Sequence, residues 1–594
     1  MSDSSLYDPI ELETTTFDLI VVGTGLPATV IAAAASAAGK TVLHLDRNHF
    51  YGSQFASLHL DQLTSFINSH ATPPSTIIDT TSTSISHDYT VLDVTLRSVY
   101  SSIETANYAP EILADQSSKF LIDLGGPRVL FCADKAVDLI VKSGVDSYLT
   151  FKSIDVSFIC DESGGLSNVP DSRSAIFKDK SLSLIEKNQL MRFFKLVQQH
   201  LAASAGDDGG SESSKISEED LESPFADFLK RMRLPPKIKS IILYAISLAD
   251  DDQDSLEVCK TVLKTREGMQ RLDLYQKSVR RFPNVPGALL YPLYGHGEMS
   301  QGFSRCAAVK GCIQVLRMPV TALLMDKENG QYKGVRLASG EEKLSHLLVL
   351  DPTLTVRLPP TSSSPDLKET LQVLNLKDDK RKVARGICIT TRSLKPDVSN
   401  LLLVYPPRSL FPEQDTSIRA IQIGGGSDKL AVCPSGMFVL YFSGLCDDAE
   451  HGKRLLHAAM NTLLTLPISA NPESGSAVQS EDAEVKPTLL WSTLYIQELT
   501  MVHNGEHENI FFTPVPDGNL NYNDLVDSTA ARNRKALHAK YIRSTELPVV
   551  QPSLPSNPIK SCASMAVSAS MEVANISNKV RREQRLAWQS ACIK

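Results

Sequence analysis

The sequence lacks the residue patterns that mark several large protein classes. Its ten cysteines form no Cys-x-x-Cys pair, and its thirteen histidines form no cluster at metal-ligand spacing. Neither a structural zinc site nor a disulfide framework is therefore predicted, and a reducing compartment fits best. The net charge is −8 and no long block of Lys and Arg occurs, which argues against a nucleic-acid partner.

Hydrophobic segments of membrane-spanning length are also missing. The longest apolar stretch, residues 30–38, is much shorter than the ~20 residues that a membrane-spanning helix needs. The start of the chain carries acidic side chains and no apolar core, so we predict no signal or transit peptide. Cys592 lies one position too late for a prenylation box. We expect a soluble protein, and any lipid would belong to a partner.

A βαβ pattern is present near the start of the chain. It consists of a buried strand, an alanine-rich helix and a second strand, at residues 17–23, 28–38 and 41–45. Gly23, Gly25 and Ala28 form the pattern Gly-x-Gly-x-x-Ala, and Asp46 follows Gly25 by 21 positions. This spacing predicts an α/β fold of the dinucleotide-binding type.

The next segments differ in their periodicity. Residues 53–118 are rich in Ser and Thr, and their hydrophobic periodicity is weak. This pattern predicts a flexible insertion with a short helix near residues 91–100. Residues 156–266 follow the helical period and contain two apolar faces. These faces are Leu190, Phe193, Phe194, Val197 and Leu201, and Ile238, Ile241, Ile242, Ala245 and Ala249. From periodicity alone, the two faces simply pack on each other.

The rest of the chain returns to short strands before a proline-rich tail. The whole pattern predicts an α/β large domain with mixed sheets, interrupted by a smaller all-helical domain. The predicted divisions are a flexible N-terminus at 1–16, large domain at 17–155 and 267–546, helical domain at 156–266 and C-terminal tail at 547–594.

Two segments resemble the family of Rab GDP-dissociation inhibitors and Rab escort proteins. One joins Gly23-Thr-Gly-Leu26 to Val42-Leu-His-Leu-Asp46-Arg-Asn-His-Phe-Tyr51-Gly52, and the other is Tyr291-Pro-Leu-Tyr-Gly-His-Gly-Glu298-Met-Ser-Gln301-Gly-Phe-Ser-Arg305. The resemblance implies this family's FAD/NAD(P)-binding-like fold. The sequence departs from the family pattern at Ser53, where a second glycine is usual, and at Met299-Ser300, where an apolar residue and proline are common.

Three features resemble the escort branch more than the inhibitors. They are the long insertion after Gly52, the stretch from Val169 to Lys187, and the extended tail. The resemblance implies a non-catalytic protein without cofactor or metal, which binds GDP-loaded Rab and presents it to the Rab geranylgeranyl transferase α/β heterodimer. It also implies a cytosolic location, transient membrane contact and retention of the geranylgeranyl lipid.

The resemblance also implies roles for particular residues. The positions that match the family's Rab-binding platform are Tyr51, Glu298, Gln301, Arg305, Ile313 and Val315. The spacing of Glu298, Gln301 and Arg305 places them on one face if this segment is helical. Such a face is a directional hydrogen-bonding surface rather than a proton-transfer site. Without the resemblance, Glu298 and Arg305 would instead be interpreted as an internal salt bridge or as solvated charges.

The helical segment acquires a second possible task from the same resemblance. Candidates for contact with the lipid or the transferase are Leu190, Phe193, Phe194, Val197, Ile238, Ile241, Ile242 and Ala245. A helical domain that parts these faces would shelter a lipid chain, because burial of each methylene contributes ~0.8 kcal/mol.

Two other functions compete with an escort role. An FAD-dependent oxidoreductase would use Gly23, Gly25 and Asp46, but the Arg-x-Gly-Gly segment and the late Gly-Asp turn of such enzymes are missing: Arg47 is followed by Asn48, and Asp517 precedes Gly518. We therefore interpret Gly23, Gly25, Ala28 and Asp46 as a vestigial dinucleotide site. A Rab inhibitor that recycles prenylated Rab is the second alternative.

Overall fold

We describe the fold from a computed structural model. It describes residues 7, 14–71, 89–161, 164–170, 183–204, 216–255, 257–283, 285, 287–357, 377–426, 431–467, 486–501, 509–514 and 517–538. All of them lie within one compact unit, residues 1–541. The predicted tail at 547–594, most of the predicted flexible N-terminus and much of the Val169 to Lys187 stretch lie outside the described residues.

The described chain alternates between strands and helices throughout. The strands are β1 (Thr16–Val22), β2 (Val42–Leu45), β3 (Ser57–Leu58), β4 (Tyr89–Leu96), β5 (Tyr100–Asn107), β6 (Ile122–Asp123), β7 (Leu130–Phe131), β8 (Phe151–Ser153), β9 (Val156–Cys160), β10 (Leu166–Asn168), β11 (Leu289–Pro292), β12 (Ile313–Val315), β13 (Val320–Asp326), β14 (Tyr332–Leu337), β15 (Glu342–Leu350), β16 (Leu354–Arg357), β17 (Lys377–Thr390), β18 (Leu401–Tyr405), β19 (Ile418–Gly424), β20 (Phe438–Cys446), β21 (Leu489–Met501) and β22 (Ile510–Phe512). The α-helices are α1 (Leu26–Ala37), α2 (Leu60–Ala71), α3 (Pro110–Ala114), α4 (Lys135–Ser143), α5 (Leu184–Ser204), α6 (Glu218–Glu222), α7 (Phe225–Arg231), α8 (Pro236–Ser240), α9 (Thr265–Ser278), α10 (Gly297–Val309), α11 (Ala449–Leu463) and α12 (Asn523–His538).

Two large mixed sheets organise these elements, as the sequence predicts. The nine-stranded sheet runs β12-β2-β1-β15-β14-β13-β4-β16, with β22 beside β15, and the eight-stranded sheet runs β10-β9-β18-β19-β20-β17-β21-β5. Two smaller sheets, of three strands (β7-β11-β8) and of two strands (β3-β6), pair strands that are distant in sequence. The α/β fold class with mixed sheets is confirmed.

The predicted βαβ unit is present and belongs to the nine-stranded sheet. Strand β1 pairs in parallel with β2 and with β15, and β2 pairs in parallel with β12. The turn after β1, Asp46 after β2 and Asp351 after β15 thus share the carboxyl edge of the parallel strands, where ligands bind in this class of sheet. Helix α1 covers the sheet and packs against α10.

The prediction of a flexible insertion at 53–118 is wrong for its described part. Strand β4 pairs with β13 and β16 in the first sheet, and β5 pairs with β21 in the second. The short helix expected near residues 91–100 is also absent, because those residues form the end of β4 and the beginning of β5. Threonine is common in β-strands, so a segment rich in Thr and Ser need not be flexible.

The helical segment has different bounds from those predicted. Residue 156 begins strand β9, which pairs in parallel with β18, and the helices begin only with α5. At the other end, α9 extends to Ser278 and packs against α6 and α7. The segment shares one apolar core with the eight-stranded sheet. The division into a large and an inserted domain stays a prediction.

The second helical face is not the α-helix that its spacing suggests. After the single turn of α8, residues Ile241–Ile246 form a π-helix whose six side chains are all buried. A π-helix is rare and cannot be distinguished from an α-helix by apolar spacing alone. Among the described helices, none combines the length and apolar character needed to cross a membrane.

Candidate functional site

The first half of the Tyr291 to Arg305 segment anchors helix α10 to the interior. The carboxylate of buried Asp123 accepts hydrogen bonds from the backbone N–H of His296 at 2.9 Å and from the Ser57 hydroxyl at 2.5 Å. It also accepts a hydrogen bond from the Tyr291 hydroxyl. The Ser57 hydroxyl oxygen in turn accepts from the Gly297 N–H at 2.8 Å. The beginning of α10 is therefore fixed by a buried carboxylate from a distant part of the chain.

This anchoring explains the two glycines of the Gly-His-Gly motif. Gly295 has φ +87°, and a Cβ atom there would lie 2.5 Å from the Ser57 hydroxyl oxygen and 2.7 Å from an Asp123 carboxylate oxygen. A Cβ atom at Gly297 would lie 2.5 Å from the Ser57 nitrogen. Only glycine allows the chain to approach Ser57 and Asp123 this closely.

His296 is a structural residue of this anchor. Its Nε2 lies 2.8 Å from the Arg128 carbonyl oxygen, and its Nδ1 lies 2.7 Å from the Tyr522 hydroxyl. Burial lowers the pKa of His296, which favours the neutral ring. A neutral ring donates from Nε2 to the carbonyl and accepts from the tyrosine at Nδ1.

The second half of the segment points outward, as its spacing predicts. Glu298, Gln301 and Arg305 all lie in α10; Glu298 is half-buried, and Gln301 and Arg305 are exposed. Within the described ranges, the side chains of Gln301 and Arg305 make no hydrogen bond and no ion pair. No salt bridge joins Glu298 to Arg305 in that part of the chain either, so the amide and the guanidinium are free to bind a partner.

Glu298 differs from the other two side chains because it is partly desolvated. Burial raises the pKa of Glu298 to about 7, although the Tyr294 N–H, 3.4 Å from its carboxylate, acts in the opposite direction. Burial disfavours the charged form of an acid. Glu298 is therefore a carboxyl group whose charge changes near neutral pH on the face of α10.

Tyr51 reaches the same surface from the loop after β2. Its hydroxyl donates to the Gln314 side-chain oxygen at 3.1 Å, and the Gln314 amide donates to the Ser304 carbonyl oxygen of α10 at 2.7 Å. Burial raises the pKa of Tyr51, so the hydroxyl keeps its proton. Gln314 thus connects Tyr51 to the helix that carries Arg305.

Ile313 and Val315 flank Gln314 on edge strand β12 and are half-buried. The loop after β2 is held against this strand, because the Asp46 N–H donates to the Val315 carbonyl oxygen at 3.0 Å. The structure therefore connects Tyr51 to α10 through Gln314, whereas Ile313 and Val315 pack on the other face of the first sheet, away from α10. We call Tyr51, Glu298, Gln301, Arg305, Ile313 and Val315 the platform.

Sequence reasoning missed two residues of this arrangement. Gln314 is polar between two apolar residues of a short strand, a signal that its side chain points to the opposite face. Tyr148, whose ring lies under the Arg305 guanidinium, comes from a distant segment. Nothing in the sequence near Arg305 indicates that contact.

The polar groups of the glycine turn are used internally. The Asp46 carboxylate accepts from the Thr24 N–H at 2.8 Å, the Thr24 hydroxyl at 2.6 Å and the Ser53 hydroxyl at 3.1 Å. Its other oxygen accepts from the Asn48 N–H at 2.8 Å. Ser53 has φ +47°, a conformation that favours glycine, and its hydroxyl uses that position to bind Asp46.

The turn does not fit the pyrophosphate of a flavin nucleotide. Gly25 is the N-cap of α1, and a Cβ atom there would lie 3.5 Å from the Phe55 ring and 3.8 Å from the Gly52 carbonyl oxygen. A Cβ atom at Gly23 would lie 2.6 Å from the buried Asp351 carboxylate. The Thr24 N–H of the turn is already bound to the Asp46 carboxylate, and the Asp351 carboxyl group lies against Gly23, so the turn offers a phosphate fewer free N–H donors than an open glycine turn would. Ala28 is buried within α1.

The lipid and transferase candidates all lie in one apolar core. Leu190, Phe193, Val197, Ile238, Ile241, Ile242 and Ala245 are buried, and Phe194 is partly buried against them. Both helical faces are thus covered by other side chains of this core. No group of three or more metal-ligating side chains occurs among the residues described.

Comparison with known proteins gives matches over most of the chain. A family model described as GDP dissociation inhibitor matches residues 13–91 and 86–359. Rab escort protein 1 of Arabidopsis thaliana is 55% identical over 552 residues, which cover 92% of this chain and 96% of the relative. The Rab proteins geranylgeranyltransferase component A of Drosophila melanogaster is 27% identical and covers 86% of both chains.

A solved structure shows the same fold at lower identity. The crystal structure of the Rab GDI of Plasmodium falciparum matches with a TM-score of 0.61 at 18% identity, over 88% of this chain and 98% of that chain.

Proposed function

This chain belongs to the GDP dissociation inhibitor family, and we propose that within the family it acts as a Rab escort protein. It binds Rab GTPases and takes part in their geranylgeranylation as an accessory component that performs no chemical step itself. The observation that carries this proposal is the 55% identity with Rab escort protein 1 over 96% of that relative. The outward, unpaired face of α10 supplies the binding surface.

The platform is suited to a protein partner. Gln301 and Arg305 are exposed on α10, and their amide and guanidinium groups make no hydrogen bond or ion pair within the described residues. Arginine and tyrosine are enriched among the residues that contribute most to the affinity of protein interfaces. We propose that GDP-bound Rab binds there.

The finer steps concern the lipid and the transferase. We propose that the chain presents the Rab C-terminus to the α/β heterodimer of the transferase and retains the geranylgeranyl group afterwards. The apolar core of the helical segment supports a lipid site, because a twenty-carbon chain sheltered there gains on the order of 10 kcal/mol. The two helical faces must part to admit it. Release of the lipidated Rab at a membrane, from a cytosolic escort, completes the proposal.

Reconstituted prenylation tests this role against that of an inhibitor. Purified transferase, geranylgeranyl diphosphate and GDP-loaded Rab are incubated with and without this protein, and lipid incorporation is measured. An escort protein stimulates incorporation in proportion to its concentration. Binding of Rab without stimulation would identify a Rab inhibitor that recycles prenylated Rab.

The competing function is that of an FAD-dependent oxidoreductase. The Thr24 N–H of the glycine turn is bound to the Asp46 carboxylate, and the Asp351 carboxyl group lies against Gly23, which argues against it. Absorbance of the purified protein at about 450 nm decides the matter, because a bound flavin absorbs there. A stoichiometric flavin band would overturn the escort proposal.

A further inference from the structure

The most exposed charge of the platform rests on an aromatic ring from another segment. The Arg305 guanidinium carbon lies 4.6 Å from the centre of the Tyr148 ring. Tyr148 is half-buried and ends the 3-10 turn Val145–Tyr148, which follows α4. This geometry is that of a cation–π contact.

The turn is held close to α10 by a glycine. A Cβ atom at Gly302 would lie 2.9 Å from a Val145 methyl group and 3.3 Å from a Leu149 methyl group. Val145 and Leu149 are both buried. Gly302 therefore lets the turn pack directly on the helix one turn before Arg305, and this packing sets the position of the Tyr148 ring.

Stacking leaves the binding edge of Arg305 available. A guanidinium stacks through its planar face and keeps its N–H groups free in the plane. Because Arg305 has no hydrogen bond or ion pair within the described ranges, those N–H groups can pair with a planar acceptor such as a carboxylate. An exposed arginine otherwise loses rotamer freedom when a partner binds, and the ring removes part of that freedom in advance.

We propose that Tyr148 is a positioning residue of the platform, which holds the Arg305 guanidinium with its N–H edge toward an acidic group of the GTPase. This inference rests on the proposed Rab binding. It adds the turn Val145–Tyr148 to the elements that form the interface.

Titration of GDP-loaded Rab against the full-length protein tests this role. Tyr148→Leu removes the ring and keeps apolar bulk, and we expect about three- to fivefold weaker binding. Tyr148→Phe keeps the stacking face and should restore affinity to within about twofold of the unmodified protein. In an Arg305→Ala background, Tyr148→Leu should have no further effect, because the contact is already absent.

A matched control lies outside the platform. Arg454 of α11 is exposed, and its guanidinium carbon lies 4.8 Å from the centre of the Phe411 ring. Phe411→Leu removes a ring of the same kind and should leave Rab affinity unchanged. Thermal unfolding of each variant distinguishes loss of the contact from loss of the fold.

Three outcomes would overturn the inference. Equal affinity of Tyr148→Leu and the unmodified protein would show that the ring does not matter. A reduction of the same size with and without Arg305 would show that Tyr148 acts independently of it. If the unmodified protein fails to bind Rab, the proposed function itself is wrong and the role of Tyr148 falls with it. Should Tyr148→Leu unfold early, Tyr148→Phe and Arg305→Lys test the stack, since lysine keeps the charge without the planar face and should bind more weakly.

Discussion

Two surfaces next to the first sheet, the glycine turn and the outward face of α10, differ in whether their polar groups have hydrogen-bond partners. At the glycine turn, both oxygens of the Asp46 carboxylate accept hydrogen bonds from Thr24, Asn48 or Ser53. On α10, Gln301 and Arg305 are exposed and have no such partner among the residues described. The glycine turn has the sequence pattern of a binding site, whereas α10 carries the exposed side chains whose N–H groups can bind a partner.

The difference teaches how the same fold can exchange one ligand for another. A Gly-x-Gly pattern fixes a tight strand-to-helix turn, and it binds a phosphate only if the N–H groups are open. Here the Thr24 N–H is bound to the Asp46 carboxylate, and the Asp351 carboxyl group lies against Gly23. The groups left over for recognition lie on α10, beside the edge strand β12.

The largest effect is expected at the turn. Asp46→Ala removes the acceptor of four hydrogen bonds and leaves the hydroxyl proton of buried Thr24 without an acceptor, which should lower the free energy of unfolding by about 3 kcal/mol. Denaturant unfolding measures this loss. The Rab affinity of the molecules that remain folded should be unchanged, and a stable variant that binds Rab poorly would show that the turn belongs to the interface.

Arg305→Ala should show the reverse behaviour. The side chain contributes to a partner and not to internal pairing, so we expect an affinity loss of about 2 kcal/mol, roughly 30-fold in Kd. The unfolding midpoint should stay within about 1 °C of the original. Arg454→Ala, at an exposed arginine of α11, is the matched control. An equal loss of affinity in both variants would remove the special status of α10.

Tyr51→Phe tests the hydrogen bonds that connect the loop after β2 to α10 through Gln314. It deletes the hydroxyl that donates to Gln314 while Gln314 keeps its bond to Ser304. Loss of one such bond should weaken Rab binding by about 1 kcal/mol, roughly fivefold. Isothermal titration of both proteins measures the difference. An unchanged Kd would place the Tyr51 hydroxyl outside the interface.

The smallest expected effect is a pH dependence at Glu298. The pKa of Glu298 in the folded protein is about 7, above its ordinary value of 4.5. The folded state therefore holds a proton that the unfolded state lacks between these values, so the contribution of Glu298 to stability falls as the pH rises from 4.5 to 7 and is constant above.

Glu298→Gln keeps a neutral side chain at every pH and isolates this contribution. The melting temperature of the glutamine variant, relative to the unmodified protein, should increase by about a degree between pH 5 and pH 8. A difference that does not change with pH would show that Glu298 titrates normally and is well solvated.

Local patterns predicted the parts of the molecule in which neighbours in sequence carry the information. The βαβ unit and the outward face of Glu298, Gln301 and Arg305 follow from the periods of single elements. Strand β4 was mistaken for part of a flexible insertion because its partner β13 lies far along the chain. The π-helix at Ile241–Ile246 was missed because an apolar run looks alike in both helical forms.

The site shows the same limit. Gln314 and Tyr148 contact α10 or its Arg305 from segments that are distant in sequence, and Asp123 fixes the beginning of α10 from outside the motif. The residues next to positions 295 and 297 in the sequence do not explain why both are glycine. In the structure they are required because Ser57 and Asp123 occupy the space that a side chain would fill.

The most direct test of the central claim is a titration of GDP-loaded Rab against this protein and against the triple variant Glu298→Ala, Gln301→Ala, Arg305→Ala. We predict saturable one-to-one binding by the unmodified protein, a loss of at least about 100-fold in the variant, and equal melting temperatures. Binding of Rab by the triple variant with unchanged affinity would contradict the claim that the outward face of α10 is the surface that holds the GTPase.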